Sequence, residues 1–362
     1  MTQFKSAPSF INSDTIPSGY FDGAVARILD VQSEDGCIAW FKNGAFDPWN
    51  HLESAMGLSI CGATDGADKA YKFLFNTQLD DGSWWGQLGS DVPIDEELQN
   101  FSRQSLDTVR KTRDTNFIAY IATACWHYHL IRQDTAFLKE AFSVVEKAIN
   151  FVLSLQTPEG DIRWTAPDSK TPEDDALLTG CSSIYKSLGN AINLAEAAAK
   201  DCDAWRVAHL KLGDALRYKP ERFDRSWGSK ERYSMDWYYP VLSGALAHDV
   251  AKQRLLDRWD KFVVDGMGCK CVSDEPWVTT AESAELVLAL KVNGQHDLAR
   301  EHLSWLHKMR NESGAYWMGY QLQSEVFWPV ECPPWTAGAV LLASDAVCEL
   351  TPAHALFNAS SV

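Results

Sequence analysis

The stretch Phe73-Leu74-Phe75-Asn76-Thr77-Gln78-Leu79-Asp80-Asp81-Gly82-Ser83-Trp84 joins the end of a helix to a turn and a tryptophan. Asp80-Asp81-Gly82 is a turn signal, so the helix should end near Gln78, with Trp84 folded back over its last turn. The glutamine amide can bond carbonyls left unpaired at the helix end, while the indole covers apolar surface. Apolar residues recur at helical spacing through the preceding segment, at Ala67, Ala70, Tyr71 and Leu74.

The same order of apolar pair, glutamine, glycine and tryptophan recurs elsewhere in the chain. Four copies predict an internally repeated fold, and their irregular spacing favours a closed ring over a linear solenoid. We call each copy a staple. The other three staples are Ile28-Leu29 with Gln32, Gly36 and Trp40; Phe151-Val152 with Gln156, Gly160 and Trp164; and Trp305-Leu306 with Arg310, Gly314 and Trp317, where arginine replaces glutamine.

These staples resemble the QW repeat of the squalene–hopene cyclases, a family within the terpenoid-cyclase and protein-prenyltransferase superfamily of α/α toroids. The resemblance implies a toroid of paired helices and an isoprenoid substrate. It concerns a structural repeat, so it bears on the fold more strongly than on the reaction. The Asp-x-Asp-Asp acid motif of the cyclases is absent, as is the zinc-ligand motif of the prenyltransferases.

Periodicity and turn signals divide the chain into about twelve helices in six pairs, with no convincing strand. The odd-numbered helices carry charges and staples, as outer helices should, and the even-numbered helices are richer in Ala, Gly and Ser. We therefore predict an all-α (α/α)6 toroid with about six inner and six outer helices. The predicted organisation is an N-terminal arm over 1–17, a single toroid domain over 18–350 and a C-terminal tail over 351–362.

Composition limits the possible partners and locations. A net charge of −16 over 362 residues argues against nucleic acid and anionic lipid as partners. No apolar run is long enough to span a membrane, and the N-terminus has no signal-peptide pattern, so we expect a cytoplasmic protein. The close cysteine pair Cys269 and Cys271 has no histidine nearby to complete a metal site, so we expect neither a metal nor a cofactor.

Carboxylates and aromatic residues cluster at the starts of the even-numbered helices. If these helices are parallel, their N-termini converge on one funnel. We predict Asp236 as the acid, with Asp274 or Glu331 as its counterpart and His51 as an orienting group, and with Asp47 and Asp114 as further catalytic candidates. The predicted substrate-binding residues are Trp49, Glu53, Asn116, Tyr185, Trp237, Tyr238, Trp277, Glu282, Trp328 and Trp335.

Each candidate also has a structural interpretation. Asp114 and Asp274 are good helix N-caps, and a lone His51 is more often a hydrogen-bonded structural residue. Carboxylates paired with tryptophans at four helix starts are more than capping requires, which favours a functional cavity.

Two reactions suit such a funnel. Aromatic faces and a protonated carboxyl group can cyclise an isoprenoid, as the resemblance implies, and this is the leading prediction. Aromatic faces also stack on sugars, and two carboxyl groups can divide acid and base work in glycoside hydrolysis, as in other (α/α)6 barrels. A non-catalytic toroid that binds a lipid or a glycan is the third possibility.

Overall fold

The computed structural model describes residues 16–42, 44–87, 112–166 and 174–358, which form twelve α-helices and five short β-strands. The helices are α1 (Asp22–Val31), α2 (Pro48–Ile60), α3 (Thr64–Thr77), α4 (Thr115–Arg132), α5 (Thr135–Leu153), α6 (Leu178–Ala197), α7 (Asp203–Tyr218), α8 (Ser234–Leu242), α9 (His248–Phe262), α10 (Thr280–Val292), α11 (His296–Leu306) and α12 (Pro334–Cys348).

The even-numbered helices form a closed inner ring. Each packs against the next even-numbered helix, and α12 packs against α2, which completes the circle. Small residues allow this closure: a Cβ atom on Gly338 of α12 would lie 2.5 Å from the carbonyl oxygen of Glu53 on α2. The odd-numbered helices pack outside this ring and bury only one face each. The predicted (α/α)6 toroid is confirmed.

The staples join neighbouring outer helices. Each glutamine amide donates to the carbonyl of its turn glycine and to a carbonyl of the next outer helix. Gln32 bonds Gly36 O (3.1 Å) and Gly66 O of α3 (2.9 Å). Gln78 bonds Gly82 O (3.0 Å) and Val144 O of α5 (2.9 Å), and Gln156 bonds Gly160 O (3.0 Å) and Ala208 O of α7 (2.9 Å).

The staple tryptophan and glycine have separate roles. Trp84 is buried and donates its indole N–H to the carbonyl of Leu74, 3.0 Å away, so it covers the end of α3 as predicted. Gly82 has a φ of +89°, and a Cβ atom there would lie 2.4 Å from the carbonyl oxygen of Lys147. The arginine staple links α11 to the segment before α1, because Arg310 donates to Tyr20 O (2.8 Å) and lies over the Tyr20 ring.

The expectation of no strand is wrong. Five short strands form an antiparallel sheet in chain order. Each strand has only two or three residues, which left no alternating pattern to detect. The third strand runs directly into α10, so the sheet lies beside the start of that inner helix. The strands are β1 (Val263–Val264), β2 (Gly268–Lys270), β3 (Trp277–Thr279), β4 (Gly319–Gln321) and β5 (Val326–Phe327).

After α12, the residues Pro352–Phe357 form a 3₁₀ helix that packs against α4, α10 and α12. Lys186 of α6 donates to the carbonyl of Leu356 at 2.7 Å. The division into 1–17, 18–350 and 351–362 stays a prediction, and 1–15 and 359–362 lie outside the described residues. Among the described helices, none is long and apolar enough to cross a membrane.

Candidate active site

One helix position lines the centre of the ring. The sixth residue of every inner helix faces a central cavity with about 20 Å³ of space, which is room for roughly one water molecule. Short loops of two to five residues join each of the first five inner helices to the outer helix that follows, so inner and outer helices alternate in direction and the inner helices run in one direction. Their N-termini form one end of the ring, which we call the mouth. The six residues are Glu53, Tyr120, Ser183, Tyr239, Glu285 and Ala339.

Three aromatic rings lie between the mouth and the cavity. Trp49, near the start of α2, stacks on Tyr120 of α4 with ring centroids 4.3 Å apart and an interplanar angle of 2°. The same indole lies 5.8 Å from the ring of Tyr239 on α8. Since α2 and α8 lie on opposite sides of the ring, these rings close the central axis. We call Trp49, Tyr120 and Tyr239 the aromatic floor.

Two buried carboxyl groups support this floor. Glu285 accepts hydrogen bonds from the hydroxyls of Tyr239 (2.5 Å) and Tyr238. Glu53 accepts a longer bond of 3.4 Å from Tyr120. Burial is the main cause that raises the pKa of both groups, and the charge of Glu285 raises the pKa of Glu53 further. The tyrosine hydroxyls oppose the rise in the pKa of Glu285.

Two more carboxyl groups extend this pair towards the mouth. Asp47 is buried at the N-cap of α2 and contributes to the raised pKa of Glu53. Glu282, in the first turn of α10, is partly exposed and contributes to the raised pKa of Glu285. Asp47, Glu53, Glu285 and Glu282 therefore form a continuous series of interacting groups, which we call the acid row.

Asp47 is held by nitrogen donors. Its Oδ2 accepts from the Trp40 indole (2.6 Å) and the Asn50 amide (2.7 Å), and its Oδ1 accepts from the Asn50 backbone N–H (2.9 Å). Burial raises the pKa of Asp47 despite these donors. The capping geometry orients the carboxyl group at the mouth, next to the tryptophan of the first staple.

Aromatic and polar groups surround the mouth. Trp335 packs edge-on against Trp40, with centroids 6.3 Å apart. Trp277 donates its indole N–H to the carbonyl of Trp328 at 2.7 Å. The amide oxygen of Asn116, at the start of α4, has no hydrogen-bond partner among the described residues. Such a group is available to a polar ligand.

The structure brings several predicted residues to this end of the ring. Tyr238 is linked to this end of the ring by the hydrogen bond that its hydroxyl donates to Glu285. Glu331 lies in the segment before α12, where burial raises its pKa. Asp114 caps α4 by accepting from Asn116 N and Phe117 N. The other predicted residues at or near the mouth are Asp47, Trp49, Glu53, Asn116, Trp277, Glu282, Trp328 and Trp335.

Other predicted residues point away from the mouth. Asp236 faces the outer helix α9, where it lies 3.7 Å from Arg254 and 3.6 Å from Arg258. Trp237 donates to the carbonyl of Arg254 on the same helix. Asp274 is at the surface, paired with Arg232 at 3.0 Å. These positions correct the expectation that Asp236 and Asp274 face each other across a funnel.

Two more candidates have structural surroundings. His51 is buried, accepts from Ile38 N (3.0 Å) and bonds Ala70 O (2.9 Å), so both ring nitrogens are engaged. Burial lowers the pKa of His51 to about 4. Tyr185 stacks on His209 of the outer helix α7, with centroids 4.0 Å apart. Neither side chain lines the cavity.

The sequence-based site omits Tyr120 and Tyr239, which line the cavity beside Glu285. Nothing in the local sequence marks these two tyrosines, because each lies well inside a helix rather than at its start. Their signal is positional: counting to the sixth residue of each inner helix retrieves both.

Comparison with known proteins identifies the type of enzyme. No family model matches the chain. The MMP endo-(1,4)-3-O-methyl-α-D-mannosidase of Mycolicibacterium hassiacum is 41% identical over 331 residues, which cover 91% of this chain and 87% of that enzyme.

Solved structures with the same fold share little sequence with the chain. A glycosidase variant in complex with glucose aligns with a TM-score of 0.65 and 14% identity, over 93% of this chain and all of that one. The GH63 mannosylglycerate hydrolase of Thermus thermophilus aligns with a TM-score of 0.64 and 11% identity, over 89% of this chain and 99% of that one. D-mannose isomerase aligns with a TM-score of 0.60 and 12% identity, over 95% of this chain and all of that one.

These findings overturn the resemblance to terpenoid cyclases and the isoprenoid reaction predicted from it. The staple repeat covers only helix ends and turns, whereas the similarity to the mannosidase extends over most of the chain. The sequence-based alternative of a carbohydrate-active (α/α)6 enzyme is the better description, and the protein is an enzyme of the glycosidase type. The chain belongs to the family of the mycobacterial MMP endo-(1,4)-3-O-methyl-α-D-mannosidase.

Proposed function

We propose that this protein is an endo-acting glycoside hydrolase that cleaves α-(1,4)-linked mannose chains carrying 3-O-methyl groups. The activity of the relative that is 41% identical supports this substrate. The observation that carries the proposal is the acid row beside an aromatic floor, at one end of the ring. Glycoside hydrolysis needs two carboxyl groups beside the scissile bond, and sugars stack on aromatic faces.

The outer members of the acid row, Asp47 and Glu282, are the proposed catalytic pair. Both lie in or before the first turn of an inner helix, at the level of the mouth. The inner members, Glu53 and Glu285, lie deeper and accept hydrogen bonds from tyrosines of the wall. One of the outer pair would protonate the departing oxygen, and the other would act as the base that activates water.

The floor explains why an internal bond would be cut. Trp49 reaches across the axis to Tyr239, so a sugar chain cannot thread into the ring and must lie across the mouth. The cavity below the floor is too small for a sugar ring. Asn116 lies on α4 and Trp335 on α12, the two inner helices that flank α2. The Asn116 amide oxygen, which has no partner among the described residues, and the Trp335 ring could therefore contact the sugar chain on either side of α2. O-methyl groups add apolar surface that aromatic residues can cover.

The test is hydrolysis of an α-(1,4)-linked 3-O-methylmannose oligosaccharide by the wild type and by Glu282→Gln and Asp47→Asn. Each substitution should lower kcat by about 10²- to 10⁴-fold, the usual contribution of acid–base groups. Asparagine caps helices as well as aspartate, so Asp47→Asn should remain folded.

Asp134→Asn is the matched control, because Asp134 caps the outer helix α5 in the same way, far from the acid row. It should keep full activity. If Glu331→Gln abolishes activity while Asp47→Asn does not, Glu331 replaces Asp47 as the partner of Glu282. Full activity in all of these variants would contradict the proposed site.

A further inference from the structure

The acid row contains a second pair of carboxyl groups that the proposed reaction does not use directly. Glu53 and Glu285 occupy the same position on two inner helices, and only α12 lies between those helices in the ring. At that level α12 contributes Ala339, which has no polar side chain. Among the described residues, neither carboxyl group has a cationic partner within ion-pair distance. Burying two carboxyl groups without a cation is costly, so a salt bridge does not account for the presence of this pair.

We propose that Glu53 and Glu285 are positioning residues that hold the aromatic floor beneath the sugar, with Glu285 as the ionised member and Glu53 as the protonated member. The inference rests on the proposed function, because it assigns the floor to sugar binding.

The hydrogen bonds distinguish the two groups. Glu285 receives hydroxyl donors on both oxygens, from Tyr238 and Tyr239, as a carboxylate does. Glu53 receives a long bond of 3.4 Å from Tyr120. Burial and the charge of Glu285 raise the pKa of Glu53 more than the hydrogen bonds of Trp49 and Tyr120 lower it. Two neighbouring carboxyl groups with no counter-ion cannot both ionise cheaply, so the poorly solvated one keeps its proton.

Each carboxyl group forms a hydrogen bond with a different tyrosine of the floor. Glu285 fixes the ring of Tyr239 through its hydroxyl. Glu53 contacts the hydroxyl of Tyr120, whose ring stacks on Trp49. The pair therefore holds the floor from both sides of the axis, and a shift of either tyrosine would tilt the Trp49 indole.

The groups that face the pair come from every inner helix. The charges of Asp47, before α2, and of Glu282, in the first turn of α10, act on Glu53 and on Glu285 respectively. Tyr120 of α4 and Tyr239 of α8 line the cavity with the pair, whereas α12 lines it with Ala339 and Leu342. Lys186 of α6 lines the far end of the cavity, with its amine bonded to the carbonyl of Leu356 and over the Phe357 ring. Burial lowers the pKa of Lys186 to about 8. The amine is therefore tied to the C-terminal segment rather than to either carboxyl group.

Glutamine substitution tests the assignment, because glutamine has the shape of a protonated carboxyl group and lacks the negative charge of an ionised one. Glu285→Gln should lower kcat/KM by about 10²-fold through displacement of the floor, and Glu53→Gln should cause a loss at least about tenfold smaller, because it preserves the uncharged shape of the group. Tyr239→Phe, which removes one donor, is the second variant if Glu285→Gln does not fold, and it should lower kcat/KM by about tenfold.

Infrared spectroscopy reads the protonation states without any substrate. At mildly alkaline pH, Glu53→Gln should remove a C=O stretching band of a protonated carboxyl group, and Glu285→Gln should remove a carboxylate band. Asp345→Asn is the control, because Asp345 is also buried, lies outside the mouth and has its pKa raised only to about 6. It should leave the protonated-acid band unchanged.

Equal losses of activity in the two glutamine variants, or an acid band that survives in Glu53→Gln, would overturn the inference. If the wild type cleaves no mannoside, the proposed function fails, but the infrared bands and the position of Tyr239 in a crystal structure of Glu285→Gln still test the pair.

Discussion

The two rings of the toroid repeat in different ways. In the outer ring, Gln32, Gln78 and Gln156 make the same two hydrogen bonds at three helix ends. In the inner ring, one helix position is repeated six times, but it carries two glutamates, two tyrosines, a serine and an alanine. Repeated side chains at repeated positions hold the fold together. Different side chains at repeated positions form the proposed site.

The largest contrast should come from two buried tryptophans, one in each ring. Trp49→Ala and Trp84→Ala should each destabilise the protein by about 3–5 kcal/mol, the usual cost of truncating a buried tryptophan. Only Trp49→Ala should also abolish hydrolysis per folded molecule, because only Trp49 belongs to the floor. Thermal unfolding and kcat/KM on the folded fraction measure both effects, and loss of activity in Trp84→Ala would remove the distinction between the rings.

A staple glycine provides the next test. Gly82→Ala should cost about 2–4 kcal/mol, because the position has a φ of +89° and its Cβ would lie 2.4 Å from Lys147 O. Gly62 is the matched control, since its φ is +72° but nothing lies within 4 Å of a Cβ there. Gly62→Ala should cost only about 1 kcal/mol. Equal costs by denaturant unfolding would show that the close approach of the staple to α5 is unimportant.

The equivalence of the staples can be tested directly. Gln32→Ala, Gln78→Ala and Gln156→Ala should each cost about 1–3 kcal/mol, because each leaves two carbonyls without their donor. The three costs should agree within about 1 kcal/mol, and kcat/KM should not change. One staple that costs several times more than the others, or one that lowers kcat/KM, would show that the outer ring is not uniform.

The smallest expected effect is a pH dependence of the thermal stability, which arises from Glu53 in the inner ring. Burial raises the pKa of Glu53 above its unfolded value, so the folded state binds the extra proton. The contribution of this proton to the free energy of unfolding is complete below the pKa of Glu53 in the unfolded chain. It is lost as the pH rises towards and through the pKa of Glu53 in the folded protein. The melting temperature of Glu53→Gln relative to the wild type should therefore increase as the pH rises above about 4.5. A difference that stays constant with pH would show that Glu53 is not protonated in the folded protein.

The sequence predicted the fold well, because a staple is a local signal. Gln78, Gly82 and Trp84 lie within seven residues of one another, and their geometry follows from the turn. The alternation of charged and small-residue helices identified the inner ring for the same reason. The five strands were missed because two or three residues show no period.

The site was predicted only in part, because its residues are set by helix rotation. Each residue along a helix turns the side chain by about 100°. Trp237 and Tyr239 are two residues apart in α8, about 200° around the helix, so one faces the outer helix and the other faces the cavity. Asp47, Trp49 and Glu282 entered the predicted site because they lie at helix starts, where a sequence pattern marks the position, and the proposed site keeps them. The reaction was predicted wrongly because the staple describes how helices join and carries no information about the chemistry at the mouth.

The measurement that tests the central claim most directly is the product distribution from a long α-(1,4)-linked 3-O-methylmannose oligosaccharide, followed over time by mass spectrometry. We predict that the wild type releases internal fragments of several lengths from the outset, and that Glu282→Gln releases none. An intact oligosaccharide after prolonged incubation with the wild type, or release of single sugars from one end only, would contradict an endo-acting hydrolase with its chain lying across the aromatic floor.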